Sequence, residues 1–188
     1  MGQFKFTKGS IEGLYVIEPI CIGDNRGYFM ETYNYDDFKK AGLDMVFVQD
    51  NQSLSKKGVL RGLHFQKKHP QGKLVRVIKG EVFDVAVDIR PGSKTYGRWQ
   101  GEILTEDNRK QFYVPKGFAH GFLVLSEEAE FAYKCTDFYY PEDQDGIQWN
   151  DPALAIEWSL KDGMEPILAD KDKISQGFAD LKRQQSMY

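Results

Sequence analysis

The sequence predicts an all-β protein, a sandwich or a barrel, with a few short helices at its periphery. Two observations support this fold class. Apolar residues fall mostly in short β-branched or aromatic segments, which Gly, Pro, Asn and Asp separate at a spacing of roughly ten residues. Aromatic side chains make up 14% of the chain, a share that is typical of a β-rich core or of a ring-lined surface.

Ten segments have the length and composition of strands. They are Leu14–Glu18, Tyr28–Tyr33, Phe47–Gln52, Leu60–Gln66, Leu74–Lys79, Val82–Ile89, Trp99–Leu104, Gln111–Val114, Gly121–Leu125 and Glu130–Thr136. Alternation is clearest in the sixth segment, where Phe83 and Val85 would lie on one face and Val82 and Asp84 on the other.

Helical signals are few. A short helix is expected at Asn34–Gly42, with Asn34 as its cap and Gly42 as its stop, and one or two more between Asp170 and Arg183. The sequence contains no repeat and no Ser/Gly-rich linker. We therefore expect one domain over residues 1–188, with a β core at about 14–136 and an extension of loops and short helices at about 137–188.

Composition limits the class of protein. The 188 residues are 41% hydrophobic and 28% charged, with a net charge of −3, which fits a soluble globular protein and gives no basic footprint for nucleic acid. No apolar stretch is long enough to span a membrane, and the N-terminus lacks the apolar core of an export signal. We expect a cytoplasmic protein whose two cysteines, Cys21 and Cys135, are reduced thiols.

Two of the three histidines lie in recognisable contexts. His64 follows Gly58 by six residues, and His120 follows a Pro-x-Gly turn; together the two segments resemble the half-motifs of the cupin jelly roll, whose histidines usually hold a metal. Here Gln66 stands where the second histidine of the first motif would be, and two imidazoles alone make a poor site for Zn or Fe(II). We expect a cupin-type jelly roll without a metal. His69 is assigned no role.

Seven segments, in order between about residues 10 and 172, are similar to the dTDP-4-dehydrorhamnose 3,5-epimerase family. They are Asp24–Glu31, Phe47–Asn51, Val59–Gln66, Gln71–Val77, Gly80–Asp88, Pro115–Phe122 and Trp149–Pro152. The resemblance implies inversion of C3 and C5 of dTDP-4-dehydro-6-deoxy-D-glucose, giving dTDP-4-dehydro-L-rhamnose without a cofactor. Both carbons flank the C4 ketone, so a base, an acid and a positive charge at the developing oxyanion suffice.

The resemblance also assigns catalytic roles. His64 matches the general base, and Asp172 is its candidate carboxylate partner, with Asp170 as a rival. Lys73 matches the residue that stabilises the C4 enolate, and Tyr133 matches the acid that returns a proton from the opposite face.

Further positions match substrate contacts of the family, and a homodimer is expected. The positions are Arg26, Phe29, Glu31, Gln49, Asp50, Asn51, Arg61, Gln66, His120, Tyr139, Gln144 and Lys171. Among them Arg26 and Arg61 suit phosphate, because a guanidinium fork matches phosphate oxygens bidentately. Tyr139 corresponds to a ring that stacks on thymine, and Gln144 stands where the family often has an acidic contact.

A geometric difficulty accompanies this assignment. In a regular strand Arg61 and His64 point to opposite faces, yet both are expected to reach the ligand. Either a bulge at Gly58 or Gly62 re-aims Arg61, or a partner subunit supplies one of the two contacts. Arg76, on a nearby strand, is expected to add a further cation that faces the cavity.

Three other functions remain as alternatives. One is a narrower enzyme on the same scaffold: a 3-only or 5-only epimerase, or a ketoisomerase acting on a related nucleotide sugar. Another is a metal-dependent cupin oxygenase or isomerase, against which Gln66 argues. The last is a non-catalytic module that binds a nucleotide sugar, which would bind ligand without exchanging its protons.

Overall fold

The computed structural model describes residues 2–160 and 164–185, which form thirteen strands and three short helices. The strands are β1 Phe4–Lys8, β2 Tyr15–Pro19, β3 Cys21–Asp24, β4 Gly27–Met30, β5 Gln49–Lys56, β6 Leu60–Gln66, β7 Lys73–Lys79, β8 Glu81–Asp88, β9 Trp99–Thr105, β10 Gln111–Val114, β11 Phe118–Val124, β12 Glu128–Cys135 and β13 Gln144–Gly146. The helices are α1 Tyr35–Lys40, α2 Asp170–Lys173 and α3 Phe178–Gln185, and Pro141–Asp143 forms one 3-10 turn.

The strands form two antiparallel sheets and a separate hairpin. One sheet has the order β1-β2-β10-β7-β12-β5 and the other β13-β6-β11-β8-β9, while β3 and β4 pair only with each other. Strands that neighbour each other in a sheet are often distant in sequence, as expected for crossing connections of a jelly roll. The predicted all-β jelly roll is confirmed.

The two sheets enclose the main hydrophobic core. Phe112, Val75 and Phe131 contribute from the six-stranded sheet, and Phe122 and Ala86 from the five-stranded sheet. At one end of this interior the apolar residues give way to polar ones, which line the site described below.

The outer face of the five-stranded sheet is also covered. Val85 and Phe83 of β8 pack there against Trp158 and Phe178, which belong to the chain after β13. Strand β8 is therefore buried on both faces. Its side chains still alternate between the two faces, since Val82 faces the interior between the sheets. The C-terminal extension thus acts as a third layer.

The predicted ten strands all exist, with ends that shift by up to four residues. Three further strands, β1, β3 and β13, were not predicted. The expected helix near residue 35 is α1, where the Asn34 side chain accepts hydrogen bonds from the backbone N–H groups of Asp36 and Asp37. No helix in residues 2–160 or 164–185 is long and apolar enough to cross a membrane.

Candidate active site

A cavity of about 350 Å³, lined mostly by polar residues, opens between the two sheets. The sequence-predicted residues that line it are Gln49, Asn51, Arg61, His64, Gln66, Lys73, His120, Tyr133, Tyr139, Gln144, Lys171 and Asp172. Ser53, Gln71 and Phe131 contribute as well. The cavity therefore brings together most of the predicted site residues, some of which lie more than 100 residues apart in the chain.

His64 and Asp172 form a close pair at the cavity wall. Nε2 of His64, on β6, lies 2.5 Å from Oδ1 of Asp172, on α2. Asp172 is 2% exposed, whereas the rival Asp170 is fully exposed and pairs with Lys173. With Nε2–H donating to the carboxylate, Nδ1 is left as the basic nitrogen of the ring.

The surroundings of His64 favour its neutral form. Burial of the ring lowers its pKa from the ordinary value of 6.5, and the neighbouring cations Lys171 and Lys73 lower it further, while Asp172 opposes them. The net shift is downward, so the imidazole is predominantly neutral at pH 7 and able to accept a proton.

An irregularity in β6 lets Arg61 and His64 face the same cavity. His120 of β11 pairs with His64, but Phe122, two residues further on, pairs with Arg61, three residues from His64. The extra residue falls at Gly62, whose φ is +126° and where a Cβ would lie 2.6 Å from the Cα atom of Gly121. The sequence left two explanations for the direction of Arg61, a local bulge or a partner subunit. The bulge at Gly62 is sufficient to turn the Arg61 side chain toward the cavity that His64 faces.

Arg61 carries a charge that has no carboxylate partner among residues 2–160 and 164–185. Within the described part of the chain, its guanidinium donates only to the Ser55 hydroxyl, at 3.0 and 3.1 Å. Together with Lys73 and Lys171 it makes the cavity cationic, an environment that suits a diphosphate.

Lys73 and Tyr133 occupy the wall opposite His64. Both lie on the six-stranded sheet, on the paired strands β7 and β12, where Tyr133 is in register with Val75 and Cys135 with Lys73. Burial lowers the pKa of the Lys73 ammonium, against the effect of Cys135 and Asp84. Burial also raises the pKa of the Tyr133 phenol, which keeps that group protonated at neutral pH.

His120 has a carboxylate partner that sequence reasoning missed. Nε2 of His120 lies 2.9 Å from both oxygens of Asp84, a residue of β8 with no exposed surface. The available signal was the alternation of β8, which put a carboxylate on the face that turned out to be the interior.

The expectation that Arg76 faces the cavity is wrong. Arg76 lines a groove on the outer face of the six-stranded sheet, because it lies an odd number of residues from Lys73 and successive side chains of a strand point to opposite faces.

The residues do not fit the metal that cupin-type folds often hold. Nε2 of each imidazole is taken by a carboxylate, Asp172 for His64 and Asp84 for His120. Residues 2–160 and 164–185 contain no group of three His, Cys, Asp or Glu side chains placed to bind an ion.

The mouth of the cavity carries an aromatic ring and four polar side chains. The Tyr139 hydroxyl donates to Oε1 of Gln144 at 2.5 Å, and Nζ of Lys171 lies 3.3 Å from the same oxygen. Oε1 of Gln49 accepts from the backbone N–H of Tyr139, and Nε2 of Gln49 donates to Asn51. Tyr139 is about half exposed, so part of its side chain is accessible to a ligand.

Four predicted contacts lie outside this cavity. Asp50 is on the outer face of β5 and pairs with Lys134, because its neighbours Gln49 and Asn51 face inward. Arg26 and Phe29 are on the exposed β3–β4 hairpin, where Arg26 pairs with Asp24. Glu31, directly after the hairpin, accepts a hydrogen bond from Asn34.

The fold and the cavity define a class of protein. This is a jelly-roll enzyme whose cavity has a histidine–carboxylate pair on one wall, a half-buried phenol on the facing wall and several cations around it, groups that suit proton transfer better than they suit binding a metal.

The chain belongs to the dTDP-4-dehydrorhamnose 3,5-epimerase family, whose model matches residues 8–180. It is 54% identical over 173 residues to the dTDP-4-dehydrorhamnose 3,5-epimerase of Methanothermobacter thermautotrophicus, covering 92% of this chain and 94% of that one. It is thus an isomerase of the cupin type, as the sequence motifs predict.

Solved structures agree with this placement. A dTDP-6-deoxy-D-glucose-3,5-epimerase from Legionella pneumophila, in complex with dTDP-4-keto-L-rhamnose, superposes with a TM-score of 0.90 at 50% identity, covering 95% of this chain and 96% of that one. A 3'-monoepimerase from Streptomyces bikiniensis, in complex with dTDP-quinovose, has a TM-score of 0.87 at 34% identity, covering 94% and 89%. The double epimerase is the nearer of these two in sequence.

Proposed function

We propose that the protein inverts C3 and C5 of dTDP-4-dehydro-6-deoxy-D-glucose and yields dTDP-4-dehydro-L-rhamnose. The observation that carries this proposal is the placement of His64 and Tyr133 on opposite sheets, with the cavity between them. A sugar ring held there presents one face to the base and the other to the acid, which is what inversion of a carbon centre requires.

The first step is removal of a proton beside the C4 ketone. Nδ1 of His64 accepts the proton from C3 or C5, and the bonding electrons move into the carbonyl to form an enolate. Asp172, which accepts a hydrogen bond from Nε2, stabilises the imidazolium that results. The pair acts as one unit, because a charged ring is costly to bury without its carboxylate.

The enolate oxygen needs a cation, and Lys73 supplies it. Its ammonium lies in a partly buried wall of the cavity, where its charge acts on the oxyanion with little screening by water. The attraction is stronger for the enolate than for the neutral ketone, so it lowers the barrier rather than merely tightening binding.

Inversion is completed from the opposite wall. The Tyr133 hydroxyl donates its proton to the carbanionic carbon, leaving a phenolate on the enzyme and a proton on His64. The substrate has gained and lost one proton, and solvent exchange at both side chains restores the starting state. Each turnover therefore introduces a solvent proton at the inverted carbon.

The rest of the cavity binds the nucleotide part. Arg61 and Lys171 are the phosphate partners, since neither is neutralised by a carboxylate within the described residues. Tyr139 stacks on thymine beside Gln144, which replaces an acidic contact by a neutral acceptor. Gln49, Asn51 and His120 are left to contact sugar hydroxyl groups.

A homodimer accounts for the predicted contacts that lie outside the cavity. Arg26 and Phe29 project from the exposed β3–β4 hairpin, and we propose that they reach the cavity of a partner subunit, together with Glu31. The outer face of the six-stranded sheet, with Arg76 in a groove and the exposed Leu54 on β5, is the surface that would be covered.

The cellular setting follows from the product. We place the enzyme in the cytoplasm, where nucleotide sugars are made and where the free thiols of Cys21 and Cys135 stay reduced. The rhamnose would serve cell-surface polysaccharide synthesis.

Product analysis tests the activity. Proton NMR of dTDP-4-dehydro-6-deoxy-D-glucose incubated with the protein should reveal the L-rhamno product. A product inverted at one carbon would indicate a 3-only or 5-only epimerase. Tight binding with an unchanged sugar would indicate a binding module, and either result would overturn the proposal.

A further inference from the structure

Two loops meet at the mouth of the cavity. One follows β6 and spans residues 67–72; the other, residues 138–143, precedes β13 and carries Tyr139. Two buried polar side chains hold these loops to each other: Gln66, which is 6% exposed, and Asp143, which is 7% exposed. The chemistry proposed above uses neither of them.

The amide of Gln66 makes three hydrogen bonds to backbone groups of the two loops. Its Nε2 donates to the carbonyl oxygens of His69, at 2.7 Å, and Phe138, at 3.1 Å. Its Oε1 accepts from the backbone N–H of Tyr140 at 2.8 Å. Both donor hydrogens are used, so Gln66 has none left for a ligand even though it lines the cavity.

Asp143 makes the complementary connection in the opposite direction. Its carboxylate accepts from the backbone N–H groups of Lys68, at 3.0 Å, and His69, at 2.8 Å. Nδ1 of His69 lies 3.3 Å from the same carboxylate, and its ring packs on Tyr140 with centroids 4.3 Å apart. Although burial opposes ionisation, these donors hold the pKa of Asp143 below its usual value.

We propose that Gln66 and Asp143 form a clasp that positions the nucleotide platform, meaning Tyr139 and Gln144, for binding. This inference rests on the proposed function, in which Tyr139 stacks on the base. Both clasp residues are positioning residues that act through the loops, and Gln66 is reassigned from substrate contact to loop anchor.

The clasp lowers the cost of binding rather than the barrier to chemistry. A loop that is already ordered pays less conformational entropy when a ligand docks on it. His64, Lys73 and Tyr133 are held by strands and not by these loops, so their geometry does not depend on the clasp. Loosening the clasp should therefore raise KM and leave kcat almost unchanged.

Two isosteric variants test the clasp independently. Asp143→Asn replaces one accepting oxygen by an amide that faces N–H donors, and Gln66→Glu turns a donor of two hydrogen bonds into an acceptor that faces two carbonyl oxygens. Each should raise KM for the dTDP-sugar, and Kd for dTDP alone, by about tenfold, with kcat within about twofold of wild type.

A matched control exists elsewhere in the chain. Asp151 is also buried and also binds backbone N–H groups, of Ala153 at 2.9 Å and Phe178 at 2.7 Å, but it does not line the cavity. Asp151→Asn should lower stability and leave both KM and Kd at the wild-type value. This separates a specific effect on binding from a general loss of structure.

Hydrogen exchange of the backbone amides tests the clasp without any substrate. In Asp143→Asn the backbone amides of residues 67–69 and 138–144 should exchange faster, while those of β6 and β12 stay protected. Unchanged exchange would overturn the proposal, whether or not the wild-type protein turns over the sugar. A kcat loss with unchanged KM in Gln66→Glu would also overturn it, since Gln66 would then act on the reacting sugar.

Discussion

Two carboxylates on one short helix have opposite environments. Asp170 and Asp172 are both in α2, but only Asp172 turns toward β6 and reaches His64. The sequence limits the carboxylate partner of His64 to these two residues but does not decide between them, because the direction of a side chain on a single helical turn depends on how that turn packs against the sheet. The pair therefore offers a matched comparison.

Replacing Asp172 should remove most of the activity. Asp172→Asn loses the charge that supports the imidazolium, and we expect kcat to fall by roughly 100-fold or more. Asp170→Asn, two residues away and fully exposed, should retain wild-type kcat. Steady-state kinetics on both variants tests this prediction. An equal loss of kcat in the two variants would mean that the integrity of α2, rather than the pair of His64 and Asp172, controls the rate.

Asp84 was the residue least accessible to prediction. Its partner His120 lies 36 positions later in the chain, and no local motif links the two. The alternation of β8 puts Asp84 on one face with Val82, and a carboxylate on an inward face is expensive to bury unless it is paired, which is the hint that the sequence offers. In the structure it also raises the pKa of Lys73.

The pH dependence of kcat/KM should report the pKa of Lys73 and the effect of Asp84 on that pKa. In the proposed mechanism Lys73 acts as an ammonium, so kcat/KM should fall at alkaline pH as this group loses its proton. Because burial lowers the pKa of Lys73, this alkaline limb should lie below pH 10.5. Asp84→Asn removes a charge that favours the ammonium, so the limb should move to lower pH. A profile that does not move would contradict the electrostatic link.

A neighbour provides the control for this profile. Asp88 lies on the same strand and is equally buried, but it binds Arg90, Ser93 and Thr95. Asp88→Asn should lower stability and leave the alkaline limb where it is in the wild type.

At the scale of elements, the bulge in β6 decides what the strand presents to the cavity. The sequence indicated that Arg61 and His64 could not both face inward from a regular strand, and it pointed to Gly58 or Gly62. The register with β11 selects Gly62, which lies against the backbone of Gly121 without room for a side chain.

Adding a methyl group at Gly62 should disturb both stability and catalysis. A Cβ there meets backbone atoms of His120 and Gly121 at 2.7 and 2.6 Å, so Gly62→Ala should cost roughly 2 kcal/mol or more and lower kcat by displacing His64. Chemical denaturation and kinetics measure the two effects.

Gly92 provides the comparison for that substitution. It also has a positive φ, of +76°, but no atom lies within 4 Å of the position that an added methyl group would occupy. Gly92→Ala should cost about 1 kcal/mol and leave kcat unchanged. Similar costs for the two variants would mean that the close approach at Gly62 is unimportant.

Two of the strands that escaped prediction, β13 and β1, share a reason. Strand β13 has three residues, Gln144–Gly146, too few and too polar for a periodic pattern, and it exists because β6 offers a free edge. Strand β1, with two lysines in five residues, is an edge strand whose pairing with β2 decides its conformation. Both depend on tertiary context that the local sequence does not contain.

At the scale of the whole molecule, the site consists of two facing walls. In the proposed mechanism the base and its carboxylate come from β6 and α2, while the acid and the cation come from β12 and β7. The motifs of the family were sufficient to select these residues from the sequence, but only the packing of two sheets shows that they face each other. The hairpin with Arg26 stands apart from both walls.

Mixing two inactive variants tests whether subunits share sites. If the hairpin serves a partner's cavity, Arg26→Ala and His64→Asn subunits each lack something that the other provides. A mixed dimer then has one complete site, and an equal mixture allowed to exchange subunits should recover about a quarter of wild-type activity.

Two outcomes would contradict the shared site. A mixture no more active than its components would place Arg26 at its own cavity or outside the reaction. A monomeric wild-type protein, measured by analytical ultracentrifugation at assay concentrations, would remove the basis of the experiment and of the proposed dimer.

Solvent deuterium tests the central claim, that a base and an acid on opposite walls invert both carbons. In D2O the wild-type enzyme should place deuterium at C3 and C5 of an L-configured product, followed by NMR. Tyr133→Phe should still exchange these protons through His64 and retain the original configuration. Deuterium at only one carbon, or inversion by Tyr133→Phe at the wild-type rate, would contradict the account.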